Sequence, residues 1–213
     1  SQSRAARPLE FHPGTKYKYG YSIDILGRFI EAIEGKSLDI VMRERVFDPL
    51  GMNDTEFWVK KSTDRDRVAM LYYRSKKGSL EPAMKISSVM SKPSRMMGGQ
   101  GLMSTTGDYA LFCQMLLNKG KLHGKRVLKK KTVKLMFKNH LEKIDKVYGL
   151  GGAVNEKGLY AWGGAAGTGF WVNHASDSYA VFMIQRWGYK VNTYKVFKGL
   201  AAKAIQKERE ETE

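Results

Sequence analysis

Apolar residues recur at helical spacing through the first third of the chain. Between Ser22 and Glu34 they fall on one face of a predicted helix, which ends at Gly35. The residues that share this face are Ile23, Leu26, Phe29, Ile30 and Ile33. A second amphipathic stretch over residues 38–47 predicts another helix, which ends before Pro49. This part of the chain is therefore predicted to be helical.

The middle of the chain predicts two more helices, preceded by a region of weak periodicity. One strand is predicted over residues 68–73. Thr105, followed three positions later by Asp108, is typical of a capping box, in which two side chains bond each other's backbone N–H groups. It predicts the start of a helix that ends near residues 118–120. A further helix is predicted over residues 131–139.

The pattern changes after Tyr148, where glycines and alternating polar and apolar residues predominate. Strands over residues 159–162, 169–173 and 179–185 predict an antiparallel meander, with a turn at residues 174–178. A final helix over residues 193–209 is predicted to pack on this sheet. The residues expected at that contact are Val196, Phe197, Leu200 and Ala204. Helices followed by a meander are typical of the α+β class.

The element order predicts two subdomains. Residues 1–146 are expected to form a mainly helical subdomain, and residues 147–213 to supply the antiparallel strands and terminal helix of an α/β subdomain. The chain has 213 residues, of which 42% are hydrophobic, so it can build a globular core. Its single cysteine, Cys113, excludes an internal disulfide and lies in an apolar helical stretch, which predicts a buried, inert thiol.

Positive charge dominates the composition. The 37 Lys and Arg residues against 21 Asp and Glu residues give a formal charge of +16, which suits anionic partners in general. The cations are spread over the whole chain, and the densest patch, residues 119–146, is predicted to be the solvated surface of a turn and a short helix. No nucleic-acid partner is predicted on this basis. No apolar run reaches the length that a membrane span requires.

Metal and nucleotide sites are not indicated. The four histidines show no metal-ligand spacing, and His123 and His174 are expected at the surface. The glycine-rich run over residues 163–169 lacks the Gly-Lys-Ser/Thr ending of a phosphate loop and continues as a strand. We therefore expect neither a metal nor an organic cofactor.

Four short segments together resemble one enzyme group. They are residues 12–27, with Tyr19 ahead of a helix, residues 47–55, residues 98–105, which begin Gly-Gly-Gln-Gly, and residues 162–168, which read Trp-Gly-Gly-Ala-Ala-Gly-Thr. In this order they resemble β-lactamase-like serine hydrolases, which include class C β-lactamases, D-alanyl-D-alanine peptidases and family VIII carboxylesterases. The resemblance extends over nearly the whole chain and implies a β-lactamase/transpeptidase-like fold.

The resemblance also implies roles for named residues. Tyr19 is the expected general base or proton relay, and the backbone N–H of Ala165 is one expected oxyanion-hole donor. These groups normally work with a Ser-x-x-Lys nucleophile, and no serine of this chain is followed three positions later by lysine. The fold is therefore expected to be incomplete, with the nucleophile supplied by a preceding segment or by a second chain.

Two departures from the family pattern bear on the substrate. The expected Tyr-x-Asn is here Tyr19-Gly20-Tyr21, and Trp162 stands where the family carries a lysine that binds a substrate carboxylate. Both changes resemble the family VIII carboxylesterases and imply a small, apolar ester or acyl substrate. The residues expected to contact it are Tyr21, Trp162, Gly163 and Gly164.

Three alternatives stay open at this point. A D-alanyl-D-alanine carboxypeptidase or β-lactamase needs a cation near Trp162, for which Lys157 and Arg186 are weak candidates. A non-catalytic protein that kept the fold and lost the nucleophile also explains the missing serine. Finally, Tyr19 and Trp162 fit an ordinary packing role as a buried tyrosine and a core aromatic residue.

Overall fold

Helices dominate the first two thirds of the molecule. The computed structural model describes residues 8–188 and 193–212, and the structural statements below refer to these residues. The helices here are α1 (Ser22–Glu34), α2 (Leu38–Met42), α3 (Asp48–Leu50), α4 (Ile86–Met90), α5 (Thr106–Leu117) and α6 (Lys130–Phe137). A π-helical turn (Arg43–Phe47) joins α2 to α3, and 3₁₀ turns cover Ser62–Arg67 and Glu142–Ile144. Gly35 adopts φ 64° and closes α1 with a bond to the carbonyl of Glu31, which confirms the predicted helix end.

An antiparallel meander follows the helices, as predicted, but it has four strands where three were predicted, because the short strand over Ala153–Val154 was missed. Its strands are β5 (Ala153–Val154), β6 (Leu159–Gly163), β7 (Gly169–Asn173) and β8 (Ser178–Phe182), and they neighbour one another in chain order. Two small hairpins lie earlier in the chain: β1 (Tyr72–Arg74) with β2 (Leu80–Pro82), and β3 (Lys121–Leu122) with β4 (Lys125–Arg126). The strand predicted over residues 68–73 was largely wrong, since only its last two residues belong to β1. The strand predicted to reach residue 185 ends at Phe182.

One hydrophobic core joins the helices to the sheet. Helix α5 packs on β7 and β8, so side chains from both predicted subdomains meet in this core. Its buried members include Phe47, Leu50, Cys113, Leu116, Val133, Tyr160, Phe170 and Val172. The prediction for Cys113 is confirmed, because its side chain is 0% exposed. A subdomain boundary at residue 146 stays a prediction.

The terminal helix α7 (Thr193–Thr212) packs on β8, and of the four residues predicted at this contact only Phe197 is confirmed. Val196, Leu200 and Ala204 are exposed, whereas the rings of Tyr194 and Phe197 lie 5.7 and 5.2 Å from that of Phe182. The cause lies in β7: a Cβ at Gly169 would come within 2.7 Å of the Tyr194 ring. The missing side chain at Gly169 lets the helix turn its aromatic residues inward.

The start of α5 shows half of the predicted capping box. The Asp108 N–H donates to the Thr105 hydroxyl at 3.1 Å, so Thr105 is the N-cap. The reciprocal half was wrong. The buried Asp108 carboxylate instead accepts from the Asp54 N–H at 2.8 Å and the Thr55 hydroxyl at 2.7 Å. Asp108 therefore ties α5 to the turn that follows α3.

Most of the apolar face of α1 is exposed. Leu26, Phe29 and Ile33 are 48%, 61% and 66% exposed, while the buried Gly27 contacts Leu38 and Gly98. The helix thus packs through its glycine side and leaves most of its large side chains on the surface. Among the described helices, none is long and apolar enough to cross a membrane.

Candidate active site

A cavity of about 1060 Å³ brings together most of the predicted site residues. Tyr19, Trp162, Gly163, Gly164 and Ala165 all line it. The rings of Tyr19 and Trp162 lie 5.9 Å apart. The interpretation of Tyr19 as a buried packing residue was wrong, because 67% of it is exposed. Two segments that are more than 140 residues apart in sequence therefore face one another here.

The Tyr19 segment is held in place by the glycine-rich loop over residues 98–101. The Gly99 N–H donates to the Asp24 carboxylate at 2.9 Å, two residues into α1. A Cβ at Gly98 would lie 2.4 Å from the carbonyl oxygen of Ile23, so only glycine allows this approach. The loop thus fixes the first turn of α1 and, through it, the direction from which Tyr19 enters the cavity.

The Trp-Gly-Gly-Ala segment forms the end of β6 and the turn that leads to β7. Gly163 pairs with Gly169, and the Gly164 N–H donates to the Thr168 carbonyl at 2.9 Å. A Cβ at Gly164 would meet the Thr168 hydroxyl at 2.3 Å, which explains the second glycine. Within the described residues, no backbone carbonyl accepts from the Ala165 N–H. That amide is therefore available to a group in the cavity.

Sequence reasoning missed two aromatic residues beside this site. The Tyr148 ring packs edge-on against Trp162 at 5.4 Å, and Tyr17 lies 5.4 Å from Tyr148 on its other side. Partial burial, with Tyr17 nearby, raises the pKa of Tyr148 to about 12, so its phenol stays protonated at neutral pH. Tyr148 therefore supports Trp162 through its ring contact. In the sequence, the one feature that sets Tyr148 apart is that it begins the glycine-rich region.

Three other candidates lie outside the cavity lining. Tyr21 is 56% exposed and does not line the cavity. Lys157 lies in the turn before β6, whereas Trp162 lies near the other end of that strand. Arg186 sits beside the β6–β7 turn, where its N–H donates to the Ala166 carbonyl at 2.8 Å, but it does not line the cavity either.

Several polar residues that line the cavity are paired with one another or with Asp108. Arg67 bridges Asp54 and Asp64, and its hydrogen bonds to Asp54 lower the pKa of that carboxyl group. The Thr55 and Ser104 hydroxyls are 2.8 Å apart, and Thr55 also donates to Asp108. This network holds the turn after α3 against the loop that precedes α5.

No metal centre is present among the described residues, where no cluster of three or more candidate ligands occurs. His174 was wrongly expected at the surface. Its ring stacks on Phe137 with centroids 4.3 Å apart, and its Nε2 lies 3.0 Å from the Leu116 carbonyl. The short turn between β7 and β8 folds this residue back onto the core.

Comparison with known proteins agrees with this arrangement. Residues 2–201 match the Beta-lactamase family. The chain belongs to this family. An uncharacterised protein of Mycobacterium tuberculosis is 30% identical over 211 residues, covering 85% of this chain and 51% of that protein. The chain thus spans about half the length of the curated relative.

Two further relatives carry descriptive names. A lovastatin esterase of Penicillium rubens is 34% identical, over 63% of this chain and 33% of that protein. A putative D-alanyl-D-alanine carboxypeptidase of Escherichia coli K12 is 31% identical, over 70% of this chain and 37% of that protein. The relatives of this chain thus carry names of hydrolases and of acyltransferases, the latter including a methylbutanoyltransferase of Aspergillus terreus.

Solved structures confirm the fold. A variant of simvastatin synthase from Aspergillus terreus superposes with a TM-score of 0.74 at 24% identity, covering 89% of this chain and 55% of that one. EstCE1, described as a hydrolase with promiscuous acyltransferase activity, gives 0.73 at 24% identity, covering 86% and 55%. The predicted β-lactamase/transpeptidase-like α+β fold is therefore correct, and the chain covers only part of each of these structures.

Proposed function

We propose that the protein to which this chain contributes hydrolyses carboxylic esters through a serine acyl-enzyme. A serine hydroxyl adds to the ester carbonyl carbon, and its proton passes through Tyr19 to the departing alcohol oxygen. Water then releases the acid from the acyl-enzyme. The Ala165 N–H stabilises the oxyanion in both steps, and such a donor is worth about 3 kcal/mol of the barrier. The observation that carries this proposal is the cavity shared by Tyr19 and residues 162–165.

The nucleophile is proposed to come from a Ser-x-x-Lys segment outside this sequence. No serine in the chain has a lysine three positions later. Two observations support a complementary segment: the relative from Mycobacterium tuberculosis is about twice as long, and large apolar side chains of α1 are exposed. The lysine of that segment would also provide the positive charge that a phenol needs to accept a proton near neutral pH.

An uncharged ester is the proposed substrate. Trp162 supplies a flat apolar surface, supported by the Tyr148 ring, where the family resemblance places a carboxylate-binding lysine. Lys157 and Arg186 were the two candidates to replace the carboxylate-binding lysine, but neither lines the cavity. They therefore do not favour an anionic substrate. The similarity to a lovastatin esterase is consistent with an ester of an apolar acid or alcohol.

A D-alanyl-D-alanine carboxypeptidase is the second candidate. It is favoured by the Escherichia coli relative and by Lys60 and Lys61, which line the cavity and offer positive charge to a carboxylate. Lys60 lies over the Trp58 ring, with its Nζ 4.7 Å from the ring centroid. The aromatic wall at Trp162 makes the ester the preferred proposal.

The test compares two substrates with the complete protein, including the sequence encoded upstream of Ser1. We expect hydrolysis of a short-chain p-nitrophenyl ester and little turnover of a chromogenic cephalosporin. Cephalosporin turnover without esterase activity would reject the ester proposal. A fluorophosphonate probe, followed by intact-mass analysis, tests for an activated serine. If the complete protein gains no mass, the non-catalytic alternative is correct and the proposed mechanism is wrong.

A further inference from the structure

Residues 119–146 concentrate the positive charge of the molecule. They contain eleven Lys and Arg residues against only Glu142 and Asp145, which gives +9 of the total charge of +16 in 28 residues. All eleven cationic residues are exposed. They are Lys119, Lys121, Lys125, Arg126, Lys129, Lys130, Lys131, Lys134, Lys138, Lys143 and Lys146. We call this surface the cationic face.

The elements of this face are held together by short-range bonds. The Leu128 N–H donates to the Gly120 carbonyl at 3.2 Å, so the β3–β4 hairpin folds directly onto the start of α6. At the other end of α6, the His140 N–H donates to the Tyr148 carbonyl at 2.9 Å, and the Asn139 amide donates to the Lys146 carbonyl at 3.0 Å. The hairpin, α6 and the 3₁₀ turn that follows therefore form one connected surface.

Helix α6 collects its lysines on one side. At about 100° per residue, Lys130, Lys131 and Lys134 fall within an arc of about 100°, and Lys138 continues it just past the last turn. Val133, which is 1% exposed, points into the core from a different side. The helix thus has an apolar inner side and a cationic outer one.

This arrangement does not stabilise the helix itself. Lys130 and Lys134 are like charges at i,i+4, and the first turn contains lysines and no acidic residue, against the direction of the helix dipole. Within the described residues, none of the eleven cations forms an ion pair. Arg126 donates to the Lys119 and Leu128 carbonyls, and the charge of the exposed lysines is not neutralised by a carboxylate of the described residues.

We propose that the cationic face binds the surface of an anionic lipid membrane. Ten of its eleven cations are lysines, which act as point charges and lack the planar fork with which arginine recognises nucleic acids. None of them lines either of the two cavities described, of which the larger contains the candidate active site. The attraction is then the sum of many weak contacts with a broad charged surface.

Exposed aliphatic side chains distinguish this face from a nucleic-acid site. Leu135, Val147 and Leu150 are 47%, 58% and 46% exposed among the lysines, and such side chains insert into the interfacial layer of a bilayer. The phenyl ring of Phe137 and the phenol ring of Tyr148 are partly buried in contacts with other aromatic residues, so the exposed rings left to stack on bases are the imidazoles of His123 and His140. The combination of lysines and exposed aliphatic side chains therefore favours a lipid surface over a nucleic acid as the partner.

The face also adjoins the candidate active site. Val147 directly precedes Tyr148, whose ring packs against Trp162 in the cavity. Attachment through this face would bring the Trp162 side of the cavity close to the membrane, where apolar molecules accumulate. The binding itself does not depend on the proposed ester chemistry, so the two proposals are tested independently.

Cosedimentation of the 213-residue chain with lipid vesicles tests the proposal. We expect binding to vesicles that contain phosphatidylglycerol, no binding to pure phosphatidylcholine, and weakening as salt is added. Replacing Lys130, Lys131 and Lys134 by glutamate should weaken binding by well over tenfold, because each lysine near the surface contributes about fivefold. The matched control, Lys76→Glu with Lys77→Glu and Lys85→Glu, changes the net charge equally at exposed positions outside the face and should retain binding.

Several outcomes would overturn the proposal. Equal losses in the two triple variants would show that only net charge matters. Tighter binding to an RNA or DNA oligomer than to the anionic vesicles at the same salt would identify a nucleic-acid surface instead. No sedimentation with anionic vesicles would exclude lipid. If circular dichroism shows that the α6 variant does not fold, Lys121→Glu with Lys125→Glu in the exposed hairpin replaces it and should also weaken binding.

Discussion

At the scale of single residues, the site depends on side chains and on places where a side chain is missing. Tyr19 lines the cavity, and a Cβ would lie 2.4 Å from the Ile23 carbonyl oxygen at Gly98 and 2.3 Å from the Thr168 hydroxyl at Gly164. Tyr148 completes the arrangement by supporting Trp162. The first three residues were identified from their motifs. Tyr148 was not, because its role arises only from contacts with Tyr17 and Trp162 after folding.

Tyr19→Phe removes the phenolic hydroxyl and keeps the ring. If Tyr19 transfers the proton, kcat for the p-nitrophenyl ester in the complete protein should fall by about 10²- to 10⁴-fold, while KM changes little. The control is Tyr73→Phe, since Tyr73 lies in β1 and does not line the cavity. Equal activity in the Tyr19→Phe variant and the unmodified protein would exclude the proposed role.

Gly164→Ala places a Cβ against the Thr168 hydroxyl and should disturb the β6–β7 turn. We expect the free energy of unfolding to fall by about 1–3 kcal/mol, as for other overpacked sites. Gly199→Ala is the opposite case, because its Cβ meets open space in α7 and alanine favours a helix by about 1 kcal/mol. Urea denaturation of both variants measures the contrast. A Gly164→Ala variant as stable as the original chain would mean that the turn is not tightly packed.

At the scale of elements, α5 begins with a motif in which one residue bonds within the helix and another bonds a distant segment. Thr105 caps the helix as its sequence predicts. Asp108 was predicted to complete the same local motif, but its partners, Asp54 and Thr55, lie more than 50 positions away. A buried carboxylate bonds whichever donors the fold leaves unpaired, and local spacing does not reveal them.

Asp108→Ala should destabilise the chain more than Thr105→Ala. The first change leaves the Asp54 N–H and the Thr55 hydroxyl without this acceptor and should cost about 2–3 kcal/mol. The second removes one helix cap and should cost about 1 kcal/mol. Unfolding in urea, followed by circular dichroism, gives both values. Equal losses would indicate that Asp108 acts mainly within its own helix.

At the scale of the whole molecule, one core connects the helices, the sheet and the candidate site. Helix α5 lies against β7 and β8, and Cys113 lies inside this contact without any exposure. Burial raises the pKa of Cys113 to about 12. The thiol is therefore both shielded and protonated at neutral and mildly alkaline pH.

The reactivity of Cys113 should report global unfolding. At mildly alkaline pH the folded chain should resist a maleimide reagent, because the reactive thiolate is rare well below a pKa of about 12. Labelling should begin at the denaturant concentration at which circular dichroism changes. A Ser87→Cys variant adds an exposed thiol and should gain one rapidly reacting site in the folded state. Fast labelling of Cys113 in the native chain would contradict the packing described here.

The sequence by itself determined the α+β class, the antiparallel meander, the ends of α1 and α5, and the motifs that identify Tyr19 and residues 162–165. These features depend on local spacing, on glycine and on capping chemistry, which act over a few residues. Only the tertiary structure decided that Tyr19 and Trp162 share a cavity, that Tyr148 supports Trp162, that Tyr194 joins the predicted Phe197 in packing α7 on the sheet, and that His174 turns inward. Each of these contacts joins residues from different segments of the sequence. Which side chains meet depends on how the helices and the sheet pack, and local sequence patterns do not encode that packing.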